Sequence, residues 1–63
     1  MRLTDFQERM REAFGAQAEW VARDHVLLGL GQRTVDEALA AGEDAREVWR
    51  VVHAELQLPA ALR

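Results

Sequence analysis

Two His, two Thr and eleven Asp plus Glu are the side chains of this 63-residue chain with acid, base or ligand chemistry. His25 follows Asp24, and His53 lies two residues before Glu55, the neighbours from which a metal site or a general base would be assembled. Neither histidine has a second His at i,i+4 or a His and acid set at ligand spacing. Each is expected to be a packed side chain with one hydrogen bond. The chain has no Cys, Ser, Tyr or Lys, which removes disulfides, thiolate ligands and most nucleophiles and general acids. Thr4 and Thr34 both occupy positions that suit helix caps. The acids fall on solvent faces, at caps or beside arginines. No catalytic, cofactor-binding or metal-binding residue is therefore expected, and no small-molecule substrate; the pattern is not that of an enzyme.

Recognition chemistry rests on Trp and Arg instead. With four aromatics in all, Trp20 and Trp49 are expected to be core anchors. The competing role is a partly exposed hot spot, where Trp and Arg are enriched. Trp49 stands between Arg46 and Arg50, and these three residues are the candidate partner-binding set. Phe6, Met10 and Phe14 are assigned to the core.

Charge bears on the class of partner. Eleven acids against eight arginines give −3. The use of Arg with no Lys, beside eleven Ala, fits a GC-rich genome better than a need for guanidinium. Ala38, Gly42, Val48 and Val51 have the A-x3-G-x5-V-x2-V spacing of a helix-turn-helix. A small residue lets two helices approach, Gly turns the corner, and two apolar residues dock the second helix. Residues 34–49 nevertheless carry five acids against Arg46 alone. A recognition helix entering between phosphates should not present Glu43, Asp44 and Glu47 first. Nucleic acid is possible but disfavoured, and an unidentified protein partner is expected.

Four short helices are predicted to position these groups. Thr4 and Gln7 form a T-x-x-Q capping box for a helix from Asp5, with Leu3, Phe6, Met10 and Phe14 as its apolar stripe and Gly15 as its stop. A second helix, from about Ala16 to Leu28, has so broad an apolar arc that it reads as the central one. Thr34 and Glu37 make a capping box for a third, short helix closed by Gly42. The fourth starts near Asp44, buries Val48, Trp49, Val51, Val52 and Leu56, and is stopped by Pro59. The expected fold is a single all-α domain over residues 1–63, a compact four-helix bundle whose last two helices meet in a helix-turn-helix-like corner. The longest apolar run is Val26–Leu30 and Met1–Asp5 has no apolar signal core, so no membrane contact and a cytoplasmic location are expected.

Met1-Arg2-Leu3-Thr4, Phe6 and Arg9-Met10 read M-R-L-T-x-F-x-x-R-M; Trp20–Val26, Arg33–Gly42 and Val48-Trp49-Arg50 follow. This pattern resembles, over essentially the whole chain, a family of small actinobacterial proteins classed as a domain of unknown function. The resemblance implies a cytosolic bacterial protein and brings no activity, cofactor or site residues. Family gene order near a DNA recombinase and its regulator implies a loose link to DNA repair. The expected role is a non-catalytic protein-interaction or regulatory module. The alternative is DNA binding by residues 34–56.

Overall fold

The computed structural model describes residues 1–62. Four α-helices are α1 (Leu3–Phe14), α2 (Ala18–Asp24), α3 (Val35–Ala40) and α4 (Ala45–Glu55). Strands β1 (Val26–Leu27) and β2 (Arg33–Thr34) lie between α2 and α3. The expected all-α bundle holds as a mainly helical fold, with two corrections. Only the 3-10 turn Gly15–Gln17 separates α1 from α2, so the four separate helices expected become three helical stretches. A two-stranded sheet joins them.

The amphipathic stripe of α1 buries Phe6 and Met10, with Ala13 and Phe14 packed at its margin. Its start is two residues earlier than the Thr4 box predicted. Arg2 is the N-cap, and its backbone N–H donates to the Asp5 carboxylate at 3.4 Å, leaving Thr4 exposed. Asp5 wins because a carboxylate in the first turn also meets the positive end of the helix dipole. At the other end Gly15 adopts φ 58° and ψ −131°, a conformation that side chains disfavour, and the chain bends there into α2.

The second helix is much shorter than expected. It stops at Asp24, His25 is extended, and Val26 and Leu27 pair antiparallel with Thr34 and Arg33. The broad apolar arc is the source of the error. Read at helical period, Leu28 lies on the buried face and Trp20, Val26 and Leu27 widen it; in the structure Trp20, Val26 and Leu28 are exposed, Leu28 by 75%, while Leu27 and Leu30 are buried. Val26 favours extended backbone, and Gly29 and Gly31 oppose a helix. The sheet pairing then supplies what a helix would have gained locally. The hairpin closes through Gln32 N–H to the Leu27 carbonyl at 3.1 Å, with Gly31 and Gln32 both left-handed.

Both later helices begin where their caps place them. Thr34 Oγ1 accepts the Glu37 N–H at 3.1 Å, and Glu37 accepts the Thr34 N–H at 2.8 Å. Asp44 accepts the Arg46 N–H at 3.1 Å. Gly42, at φ 93°, turns the corner between them, and the Glu43 N–H reaches back to the Ala38 carbonyl at 3.1 Å. Ala38 and Val48, the small and apolar residues assigned to that corner, are both completely buried, and Val51 is half-buried.

The core gathers Phe6 and Met10 from α1, Val21 from α2, Leu27 and Leu30 from the hairpin, and Val35, Ala38, Val48, Trp49 and Val52 from the last two helices. Trp49 is its largest anchor. The ring of Phe6 meets it edge-on, with centroids 6.0 Å apart and planes at 88°, a geometry contributing about 0.5–1.5 kcal/mol beyond area burial.

Candidate partner-binding groove

Arg46, Trp49, Arg50 and His53 follow one another at i, i+3, i+4 and i+7, so helical geometry puts them on one face of α4. Asp5 and Arg9 stand one turn apart on α1. Phe6 docks on Trp49 and brings these two faces together. Between them runs an open groove of about 600 Å³, which Met1 and Ala54 also line.

The three residues singled out in the sequence do meet, although their roles differ. Trp49 is only 5% exposed and forms the floor. Its indole Nε1 is buried without a hydrogen-bond partner, while the His53 ring packs at 6.3 Å from its centroid. Arg46 and Arg50 are exposed on the wall. Arg50 is paired with Glu47 one turn back. The Arg46 guanidinium has no ion-pair partner among the described residues, and neither has that of Arg9 across the groove. Asp5, the single acid lining the groove, is held by Arg2 at 3.7 Å.

Arg9 and His53 also line the groove, although the sequence assigns neither to partner binding. His53 carried a signal, since it shares the helical face of Trp49 and Arg50. Arg9 carried none, because only the packing of α1 on α4 places it there. Trp20 departs from expectation in the other direction. Expected in the core, it is 52% exposed, because α2 turns Val21, flanked by Ala18 and Ala22, to the core instead.

Several other candidate residues have structural partners. Arg33 donates from Nε to the Leu30 carbonyl at 2.7 Å and from its terminal nitrogen to Glu43 at 2.8 Å, which keeps it at the hairpin and apart from Arg46 and Arg50. The His53 Nε2 lies 3.0 Å from the Pro59 carbonyl and ties the C-terminal segment to α4. His25 is half-buried at the end of α2. Among the described residues no three His, Asp or Glu side chains are gathered to hold a metal ion. No helix among them is long and apolar enough to cross a membrane. A second cleft, between α1, α2 and α3, has Phe6, Met10 and Leu39 as its base. Its rim balances Arg11 and Arg23 against Glu19 and Asp36 and so has no preferred charge.

Searches among curated proteins and among solved structures gave no match. A family model described as "Protein of unknown function (DUF3046)" matches residues 1–61, nearly the whole chain. The chain belongs to this family of proteins of unknown function.

Proposed function

We propose that the protein is a non-catalytic interaction module, an adaptor or small regulator, that engages a protein partner through the α1–α4 groove. One observation carries this proposal. Two arginines with no ion-pair partner among the described residues, Arg9 and Arg46, line a groove whose floor is built on Trp49. Trp and Arg are both enriched among the residues that carry binding energy at protein interfaces. Arg46, Trp49 and Arg50 are thus assigned to partner binding, with Trp49 acting through the shape of the floor.

DNA binding by residues 34–56 is the weaker proposal. It requires Arg33, Arg46 and Arg50 on one face with the acids turned away. Arg33 is held by Glu43, and Glu43, Asp44 and Glu47 are exposed at the start of α4. A cytoplasmic location, an actinobacterial origin and a role beside DNA-repair proteins accompany the module proposal. They concern which partner is met, and none requires contact with DNA.

Site-directed crosslinking tests the proposal. A photoreactive amino acid at Ala54, which lines the groove and is exposed, is expected to capture a defined partner in the native host. The same group at Gln17, exposed in the turn after α1, should not. Capture at Gln17 alone, or at neither position, overturns the assignment.

A further inference from the structure

Resting on the interaction-module proposal, we infer that the occupant of the α1–α4 groove is an acidic protein segment, with carboxylates on Arg9 and Arg46 and an apolar side chain against the exposed Met1 and Ala54 beside the enclosed Trp49. The charge distribution is the first support. The chain as a whole carries −3, yet this groove is lined by Arg9, Arg46 and Arg50 against Asp5. Asp5 is held by Arg2 and Arg50 by Glu47. Among the described residues, one guanidinium on each wall is left without an ion-pair partner. A guanidinium binds a carboxylate through two parallel N–H donors, and it is more easily desolvated than an ammonium. Two such groups flanking an apolar floor match a segment that alternates acid and apolar side chains. A volume of about 600 Å³ accommodates a few side chains and no folded domain.

Phosphate-bearing polymers fit less well. Single-stranded nucleic acid is held by stacking on exposed aromatic faces, and Trp49 is 95% enclosed, being only 5% exposed. A nucleic-acid backbone leaving the groove along α4 toward its N-terminus would meet Glu47, Asp44 and Glu43, all exposed. A short acidic peptide ends before that repulsion matters.

A titration of the isotope-labelled full chain tests the inference by NMR. The probe is a short Glu-rich peptide carrying one Leu, compared with the same peptide bearing Gln for every Glu and with a single-stranded DNA oligonucleotide of equal charge. The acidic peptide is expected to shift the amides of Arg9, Arg46 and His53 and the indole N–H of Trp49, and to bind more weakly as salt rises. Arg46→Glu and Arg9→Glu should each weaken it by about tenfold or more, a loss typical of reversing a charge at a charge-paired contact. Arg46→Gln should give a smaller loss, and Arg11→Glu, on the other cleft, none. Circular dichroism of each variant separates lost binding from lost structure.

Equal binding of the Gln peptide, tighter binding of the oligonucleotide, or insensitivity to Arg46→Glu overturns the inference. So does an affinity weaker than about 1 mM, where less than ~4 kcal/mol of binding is realised. Concentration-dependent shifts at Arg9 and Arg46 without peptide would assign the groove to a second copy, which also overturns it. If the peptide fails while Ala54 still crosslinks a partner, the acidic chemistry is wrong and the module stands. If Ala54 captures nothing, the module itself falls, whatever the peptide does.

Discussion

Glu55, in the last turn of α4, holds the hairpin turn at Gly29 through its carboxylate, which accepts the Gly29 N–H and, at 3.0 Å, the N–H of Leu28. Gly29 lies so close to α4 that a Cβ there would stand 2.7 Å from Val51 Cγ1 and would strike the Glu55 carboxylate as well. Two elements far apart in sequence are thus joined at a point where one has no side chain. The turn donates two backbone N–H groups that its own hairpin does not use.

Gly29→Ala is expected to destabilise the fold by about 1–3 kcal/mol, the usual range when a tightly packed contact is overfilled. The Glu55 carboxylate can swing away, but Val51 is anchored on α4 and half-buried. Urea unfolding monitored by circular dichroism measures the change. A loss within experimental error would mean that the turn stands farther from α4.

Glu55→Ala removes the acceptor for both N–H groups. A charged acceptor is worth about 1.5–3 kcal/mol per hydrogen bond when shielded, and exposure of Glu55 places the loss near or below the lower end of that range. Amide hydrogen exchange gives a more specific reading. The Leu28 and Gly29 amides should exchange markedly faster in the variant, while those in the middle of α1 should change only as far as global stability does.

The two threonines are expected to respond differently. Thr34→Ala deletes the cap acceptor for the Glu37 N–H and should cost about 0.5–2 kcal/mol. Thr4 is exposed within the first turn of α1 and caps nothing, so Thr4→Ala should be neutral or slightly stabilising, Ala being the better helix former. Thermal or urea unfolding of the two variants side by side decides it. Equal losses would restore a cap at Thr4.

The two tryptophans should separate in the same way. Trp49→Ala opens a cavity beneath Phe6 and is expected to cost about 3–5 kcal/mol, enough to unfold a domain of this size. Trp20→Ala, at a half-exposed site, should cost about 1 kcal/mol or less. Trp49→Phe keeps much of the apolar contact and removes an indole N–H that has no partner, so its loss should be well below that of Trp49→Ala. In the intact protein, acrylamide should quench Trp20 fluorescence strongly and Trp49 weakly; the single-Trp variants Trp20→Phe and Trp49→Phe allow each to be measured alone.

Local interactions were legible in the amino-acid order. The Thr34–Glu37 box, the Asp44 cap, the turn at Gly42 and the burial of Ala38 and Val48 all depend on residues within about ten positions of one another. Their geometry is set by the pitch of a helix and the backbone freedom of one glycine. The same pitch put Arg46, Trp49 and Arg50 on one face of α4. Pairing of Val26 with Thr34, the Glu55–Gly29 contact and the placing of Arg9 in one groove with Arg46 were not legible. Each joins segments whose local patterns are silent about one another. The run Val26–Leu30 is apolar enough for a helix or a strand, and its partner strand decided between them. Trp20 is exposed and Trp49 enclosed for the same reason: both sit on amphipathic helices, and only α4 has α1 packed against its aromatic face.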